Sequence, residues 1–376
     1  MKKTGEESMK KGFLILSIII SILVLTACGG GNSAAPAAPA APAAPASNGS
    51  TTEAPKDSTP TADNATSAKV VDSLKLTMVG GSPGGFWSLV GEGTGNVLRQ
   101  AIPNTQYSYE TGNGVKNVLT VGAGEVSLGL VQNFEIMAGL NGEEPFKEKV
   151  SDVITLATIY NNASHQIVMS KEFSDKYGIT SMEDIAEKKP PIRVAVNQRG
   201  NLLEKVNRII FEAYGFTYDD IEKWGGEVFY EPYKAGVDMM KDNKVDWIGA
   251  STFAPDSAYL EVSTTKDIML LSINEQAQKM LLERMGMQAG VITAGTYDFQ
   301  PTDIHTVNVS SMIMADPKMS NDEAYTITKA LVENLDSIKA IHNNLQVLTP
   351  EIMADVAPAK LHPGAEIYYK EQGIIK

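Results

Sequence analysis

The stretch Gly80-Gly81-Ser82-Pro83-Gly84-Gly85 joins a strand-like run at residues 74–79 to a segment with helical spacing of apolar residues. A glycine-rich turn between strand and helix leaves backbone N–H groups free at the positive end of the helix, which suits an anion. The same glycines also suit an ordinary tight turn, because glycine tolerates positive φ. Taken alone, the stretch therefore leaves open a binding loop and a structural turn.

Two further loops repeat this arrangement. Thr111-Gly112-Asn113-Gly114 follows a short strand-like run, and Asn197-Gln198-Arg199-Gly200-Asn201 follows a buried one. Each precedes a helix-like segment, and Asn201 is a good N-cap for the helix after it. Ligands bind at the carboxyl edge of strands in open α/β sheets, so the three loops could converge on one cleft. The alternative is that all three are ordinary connections.

Strand-like and helix-like runs alternate from about residue 69 onward, which predicts an α/β fold. A helix end that leads into a strand occurs at residues 124–129 and again at 243–248, which indicates two α/β lobes of similar build. Residues 154–160 and 166–170 are predicted to be two separate strands. The β-rich run at 306–315 is late enough to be a β crossover hinge. We expect lobe I at residues 69–168 and 308–376, and lobe II at 169–307.

The N-terminal residues 1–27 have the pattern of a secretory signal: four lysines, then an apolar core at residues 13–25. This core is too short for a stable membrane span. Leu25-Thr26-Ala27-Cys28 resembles the bacterial lipobox, whose cysteine is lipidated and becomes the mature N-terminus. The alternative is an uncleaved signal anchor with an incidental thiol. Because Cys28 is the only cysteine, no intramolecular disulfide is possible.

Residues 28–68 are predicted to be a disordered tether, because they repeat Ala-Ala-Pro four times and continue in Ser, Thr, Asn and Pro. The chain carries a formal charge of −13, and residues 1–27 contribute +2, so the remainder carries −15. A polyanion of this size is a poor nucleic-acid binder. The secretory signal, the lipobox and the tether together predict an extracytoplasmic protein that is lipid-anchored to the bacterial cell membrane.

Arg199 is the strongest single candidate for ligand recognition. Its guanidinium presents paired donors that match a carboxylate, although it could also be solvated or pair with Glu204. Phe86 and Trp87 could form the floor of a pocket, with one of them more suited to the core. Gln132 and Asn133 end a strand at the same predicted edge and carry amide groups. Tyrosines that could place hydroxyls at the rim, or only pack, are Tyr160, Tyr230, Tyr233 and Tyr297.

Catalytic chemistry finds no support in the sequence. The four histidines are scattered, without the spacing of metal ligands. The single cysteine belongs to the lipobox, and no P-loop is present. We therefore predict a binding protein rather than an enzyme, with no metal and no cofactor.

Nearly all of residues 74–373 resembles the TAXI-type solute receptors of TRAP transporters. No single motif is specific, but many occur in the family's order. These motifs are Gly81-Ser82-Pro83-Gly84-Gly85-Phe86-Trp87-Ser88-Leu89-Val90-Gly91, Thr111-Gly112-Asn113-Gly114-Val115-Lys116-Asn117-Val118, Gly124-Glu125-Val126, Val131-Gln132-Asn133, Ala294-Gly295-Thr296-Tyr297, Thr328-Lys329-Ala330-Leu331, Glu333-Asn334-Leu335 and Leu361-His362-Pro363-Gly364-Ala365. The chain departs from the family at Gln198-Arg199-Gly200-Asn201, where the family usually has a Gly/Ser-rich loop.

The resemblance implies a bilobed, type II periplasmic-binding-protein-like fold and a monomeric receptor. Such a receptor closes on a small carboxylate, either a dicarboxylate or an acidic amino acid such as glutamate. It delivers this ligand to integral membrane TRAP permease subunits driven by a cation gradient. The expected ligand-binding residues are Ser82, Gly84, Gly85, Phe86, Trp87, Asn113, Gly114, Gln132, Asn133, Gln198, Arg199, Gly200, Asn201 and Tyr297. A sensor lipoprotein of the same fold, or an enzyme on a bilobed scaffold, remains an alternative.

Overall fold

The computed structural model describes residues 67–376. The predicted signal peptide, Cys28 and the tether up to residue 66 lie outside the described residues. Within residues 67–376, no helix combines the length and apolar character that crossing a membrane requires.

Strands and helices alternate through the described chain, as the sequence predicts. The strands are β1 (Lys75–Val79), β2 (Gln106–Glu110), β3 (Leu128–Gln132), β4 (Ile154–Ser170), β5 (Arg193–Ala195), β6 (Glu227–Phe229), β7 (Trp247–Phe253), β8 (Ile268–Leu271), β9 (Gln288–Ile292), β10 (Ile304–Ala315) and β11 (Lys360–Leu361). The helices are α1 (Phe86–Ala101), α2 (Gly114–Gly122), α3 (Asn133–Asn141), α4 (Lys171–Tyr177), α5 (Met182–Lys188), α6 (Leu202–Ala213), α7 (Tyr218–Lys223), α8 (Tyr233–Lys241), α9 (Ser257–Ser263), α10 (Glu275–Met285), α11 (Asn321–Glu333), α12 (Leu335–Lys339), α13 (Pro350–Ala354) and α14 (Pro363–Glu371).

The strands follow the order β2-β1-β3-β10-β4-β7-β5-β6, with β8 and β11 paired to β4 and β9 paired to β10. The group β2-β1-β3 is parallel, and so is the group β7-β5-β6. Between them, β10 and β4 run antiparallel to each other and to their outer neighbours. The described chain is therefore built from two α/β groups joined through two long central strands. The predicted α/β, two-lobe fold class with a β crossover is confirmed.

Strand β4 is continuous across both lobes, which corrects the prediction of two short strands. Its first half pairs with the end of β10, as in Thr155 with Met314, and its second half pairs with β7 and β8. Residues 161–165 look like a polar interruption in the sequence. In the fold, Ser164 still pairs with Thr252 on one side and Asn308 on the other. Neighbouring strands therefore supply the backbone partners that keep this segment extended.

Strand β10 makes the return crossover. Its first half pairs with β9 and its second half with β3, and its register against β4 shifts at several points between Val309 and Met314. Such irregularities bend a strand locally. The predicted run at residues 306–315 corresponds to β10, which begins two residues earlier. After β10, helix α11 packs against α1 and α14. The closing helices thus return to the first α/β group.

Candidate functional site

The predicted binding loops lie at the carboxyl edges of the two parallel strand groups. In the first group, residues 80–85 follow β1, residues 111–113 follow β2, and Gln132 ends β3. In the second group, residues 196–201 follow β5, Tyr230 follows β6, and Phe253 ends β7. Because strands within each group are parallel, the three ends of each group lie at one edge.

An aromatic cluster of Phe86, Tyr160, Phe253 and His342 connects the two edges. The Phe86 ring lies 5.0 Å from the Phe253 ring and 5.6 Å from the Tyr160 ring, centroid to centroid. Phe253 lies 5.2 Å from Tyr160, and His342 lies 5.0 Å from Phe86. Phe86 begins α1 and Phe253 ends β7, so these contacts bring the two edges face to face beside the hinge strand β4. We call this group the hinge aromatic cluster.

The Tyr160 hydroxyl organises the first edge near the hinge. It accepts hydrogen bonds from Trp87 Nε1 at 3.1 Å and from Gln132 Nε2 at 2.9 Å. Burial raises the pKa of Tyr160, so its hydroxyl stays neutral. Two of the predicted site residues, Trp87 and Gln132, are thus brought together. Phe86 and Trp87 are both partly buried against the core.

The first loop presents the uncapped N-terminus of a long helix. The Gly81 N–H donates to the Tyr109 hydroxyl at 2.7 Å, and Gly85 is the N-cap of α1 without any side-chain cap. Gly84 has a φ of 77°, in the left-handed region that favours glycine, and a Cβ there would meet no atom within 4 Å. The loop is therefore open around Gly84, and the positive end of α1 is available to an anion. Ser82 closes the turn, since its carbonyl accepts from the Gly85 N–H at 3.1 Å.

The second loop rests on two buried residues that the sequence reasoning missed as functional candidates. Asn113 caps α2 by accepting from the Lys116 N–H at 3.1 Å. Asn117 is fully buried and its Nδ2 donates to Gly80 O at 3.0 Å and Leu130 O at 2.7 Å. A Cβ at Gly114 would lie 1.7 Å from Glu135 Oε1, so Gly114 packs directly on the Glu135 carboxyl group. A polar residue on the apolar face of a helix is the signal that could have marked Asn117.

The third loop holds Arg199 at the second edge. Its guanidinium carbon lies 3.7 Å from the centre of the Tyr230 ring, an arrangement typical of a cation–π contact. Arg199 is exposed and forms no ion pair with any residue in 67–376, and Glu204 pairs with Arg208 at 3.1 Å instead. The alternative of an Arg199–Glu204 bridge is therefore wrong.

The rest of the third loop consists of a helix cap and exposed residues. Asn201 caps α6 through the Leu203 N–H at 2.8 Å, which confirms its predicted N-cap role. Gln198 and Gly200 are exposed. The third loop thus places a guanidinium and exposed backbone beside the start of α6.

Two of the expected ligand-binding residues have their polar groups engaged inside the protein. Asn133 is fully buried, and its Nδ2 donates to Gly286 O at 2.9 Å. The Tyr297 hydroxyl donates to Gln166 Oε1 at 2.5 Å and accepts from the Asp256 N–H at 2.7 Å, with 1% of the residue exposed. Both side chains are engaged by buried partners that are distant in the chain. The structure therefore does not bring them to the candidate site as ligand donors.

No candidate metal site lies at these edges of the described chain. Within residues 67–376, no group of three or more His, Cys, Asp or Glu side chains could hold a metal ion. His165 lies on β4 opposite Ser251 of β7, with its Nδ1 3.0 Å from Ser251 Oγ and its Nε2 3.0 Å from Asn207 Oδ1. Burial lowers the pKa of His165 to about 4, so it is neutral at physiological pH. The candidate site includes loop amides, aromatic rings and the Arg199 guanidinium.

Solved structures similar to this chain include several binding proteins. A TctC solute binding protein from Polaromonas is 13% identical, with a TM-score of 0.48, covering 72% of this chain and 88% of that one. MatC from Rhodopseudomonas palustris, with bound malate, is 11% identical, with a TM-score of 0.45, covering 81% and 99%. The periplasmic binding protein BugD is 13% identical, with a TM-score of 0.45, covering 80% and 98%.

A sequence model of the NMT1-like family matches residues 78–373. The match begins within β1 and ends just after α14, so it takes in both α/β groups, both crossover strands and all three loops. This chain belongs to the NMT1-like family.

Proposed function

We propose that this protein is the extracytoplasmic solute receptor of a TAXI-type TRAP transporter. It binds a small carboxylate, a dicarboxylate or an acidic amino acid such as glutamate, between its lobes and delivers it to a cation-coupled membrane permease. The protein is a binder rather than an enzyme. Lobe I comprises residues 69–168 and 308–376, and lobe II comprises residues 169–307. A lipid on Cys28 anchors it to the membrane.

The observation that carries this proposal is the meeting of the two strand edges at the hinge aromatic cluster. Phe86 starts the helix whose uncapped N-terminus follows the first glycine loop, and it contacts Phe253 at the end of β7. An anion placed beside this contact would have the N–H groups of α1 on one side. The exposed guanidinium of Arg199 belongs to the opposite edge. These are the donors that a carboxylate requires.

Closure follows from the same geometry. The lobes are joined through β4 and β10, whose irregular register can absorb a change of angle. A ligand that contacts both edges binds the closed arrangement more tightly than the open one, and only that difference can drive closure. The permease would then recognise the closed, loaded form.

The test is identification of the bound molecule followed by titration. The protein is purified without denaturation, and its co-purifying small molecules are identified by mass spectrometry. Ligand-free protein is then titrated calorimetrically with glutamate, aspartate, 2-oxoglutarate, malate and succinate, and with glutamine, whose side-chain amide is uncharged, as the matched control for glutamate. We expect micromolar or tighter binding of at least one carboxylate, a free energy of about −8 kcal/mol or more favourable. Binding of none of the carboxylates would refute the proposal.

A further inference from the structure

Glu135 is a buried carboxyl group at the first edge to which the proposed function assigns no role. It lies in the first turn of α3, directly after Gln132 ends β3, and is 8% exposed. Its Oε2 accepts from the Gln132 N–H at 2.9 Å. Its carboxyl group also fills the space beside Gly114, where a Cβ would lie 1.7–1.9 Å from its carboxyl atoms. Glu135 therefore contacts two residues of the candidate site.

The surroundings of Glu135 favour its uncharged form. Burial raises the pKa of Glu135 from its ordinary 4.5 to about 8, against the smaller opposing effect of the Gln132 N–H. No lysine, arginine or histidine among the described residues forms an ion pair with it. A buried carboxylate without a cationic partner is costly, so the group keeps its proton instead.

Few titratable groups face Glu135 from the neighbouring elements. Tyr160 on β4 interacts with it electrostatically, and burial keeps that hydroxyl neutral. On α2, Gly114 itself makes the contact, and the nearest cation along that helix, Lys116, is exposed. Trp87 and Gln132, which surround the Tyr160 hydroxyl, do not titrate. On α10, which also packs against α3, Arg284 pairs with Glu212 and Lys279 with Glu283. The charge at this point of the edge is thus set by Glu135.

We propose that Glu135 is a proton-linked determinant of anion affinity: the receptor binds its carboxylate ligand only while Glu135 carries a proton. The inference rests on the proposed function and concerns the same site. Once Glu135 loses its proton, a second negative charge faces the ligand from a poorly solvated position. Two carboxylates that share such a site cannot both ionise without cost. Ligand binding above neutral pH is therefore coupled to the uptake of one proton.

The ligand-free arm of the test compares wild type with Glu135→Gln in urea unfolding between pH 5 and 9. In the unfolded chain, Glu135 loses its proton near its ordinary pKa of 4.5, whereas in the folded protein it does so only near 8. Wild type should therefore lose stability relative to Glu135→Gln by up to about tenfold in the folding constant per pH unit across this window, and the difference should be constant above about pH 8. A difference that is constant from pH 5 to 9 overturns the inference.

The ligand arm uses the tightest-binding carboxylate of the panel, titrated calorimetrically from pH 6.5 to 9.0 in two buffers of different ionisation enthalpy. The Kd of wild type should be constant below about pH 7.5 and then rise towards tenfold per pH unit, with uptake of nearly one proton at pH 9. Glu135→Gln should show neither effect. Glu125→Gln, which removes an exposed acid of the same lobe, should keep the wild-type pH dependence.

The possible failures are distinguishable. If a carboxylate binds wild type with a Kd that changes less than about twofold between pH 7 and 9, where one linked proton predicts a far larger change, the inference is overturned and the proposed function stands. If no carboxylate binds at any pH, the proposed function fails and the inference fails with it. Should Glu135→Gln not fold, the proton uptake of wild type and the carbon-13 titration of its Glu135 carboxyl group decide the question.

Discussion

Arg199 is the residue whose position bears most directly on anion recognition. It stands on the third loop with its guanidinium over the Tyr230 ring, and no acidic side chain in residues 67–376 neutralises it. A planar guanidinium on an aromatic ring keeps its edge available for a forked contact to a carboxylate. The stacking therefore orients the group and leaves its donors for a ligand.

Replacing Arg199 should weaken carboxylate binding strongly. If the closed cleft removes water from the pair, Arg199→Ala should cost about 2–5 kcal/mol of binding free energy, because the ligand anion is left unpaired. Arg199→Lys should restore only part of the loss, since ammonium lacks the fork. The measurement is calorimetric titration of the three proteins at low and high salt.

Arg208→Ala is the matched control for Arg199, because it removes an arginine of the same lobe that is already paired with Glu204. We expect it to change binding by less than about 1 kcal/mol, because Arg208 is engaged by the buried Glu204 side chain rather than by the ligand. An Arg199→Ala protein with wild-type affinity would contradict the guanidinium contact and leave the loop amides as the anion site.

At the scale of elements, the two α/β groups hold their strand ends together with the same arrangement of hydrogen bonds. In the first, Asn117 of α2 donates to Gly80 O after β1 and to Leu130 O of β3. In the second, Asn207 of α6 donates to Val196 O after β5 and to Gly249 O of β7, both at 3.0 Å. A Cβ on the glycine beside each amide would lie 2.1 Å from its Oδ1, at Gly112 and Gly249. The binding edges are thus set by buried amides one turn inside the helices.

Removing either amide should destabilise the protein, and Asn207 should be the more costly. Asn117→Ala removes two buried hydrogen bonds, at about 1–3 kcal/mol each, although its Oδ1 already lacks a partner. Asn207→Ala loses the two equivalent bonds, to Val196 O and Gly249 O, and also the contact between its Oδ1 and His165 Nε2. Urea unfolding gives the two losses. Asn113→Ala, which removes an exposed helix cap, should cost only about 1 kcal/mol. An Asn117→Ala loss larger than that of Asn207→Ala would contradict this account.

At the scale of the whole molecule, contacts between the two α/β groups hold the two binding edges close together. Phe86 meets Phe253 in the hinge aromatic cluster, and Lys205 of α6 forms an ion pair with Glu143, which follows α3. Aromatic pairs contribute about 0.5–1.5 kcal/mol each beyond the burial of their area. The cluster therefore stabilises the arrangement in which the edges face each other.

Removing the Phe253 ring should favour the open receptor and weaken ligand binding. Phe253→Ala loses two ring contacts, so we expect about 1–3 kcal/mol less favourable binding and a larger radius of gyration with ligand present. Calorimetry and small-angle X-ray scattering measure the two effects. Phe299→Ala, which removes a ring stacked on Tyr297 in lobe II, should leave the affinity unchanged. If both variants bind alike, the cluster has no part in closure.

Membrane attachment is expected to depend on Cys28 alone. Cys28→Ser removes the thiol that the predicted lipobox offers for lipidation, so the protein should leave the membrane fraction and become soluble in the producing cells. Cell fractionation with immunodetection measures this. Retention of Cys28→Ser in the membrane fraction would show that the signal core itself is the anchor.

A chain that begins at Lys69 should bind the same ligand with unchanged affinity.

Local patterns in the sequence determined the element types and the loops. Glycine clusters between apolar runs placed the turns before α1 and α2, and Asn201 marked the start of α6, because caps and turns depend on a few neighbouring residues. The alternation of strands and helices predicted the α/β class for the same reason. The prediction of an Asn201 cap is confirmed at the expected atom, its side-chain oxygen.

Only the tertiary structure decided which polar groups face the candidate site and which lie inside. Asn133 and Tyr297 carry the polar groups expected of ligand-binding residues. Their hydrogen-bond partners, however, are protein groups that lie 153 and 131 residues away in the chain. Strand β4 runs unbroken through a polar stretch because β10 and β7 supply its hydrogen bonds from distant segments. The uncharged state expected of Glu135 likewise follows from burial against Gly114, which no local pattern encodes. Long-range pairing and burial, rather than residue type, set these roles.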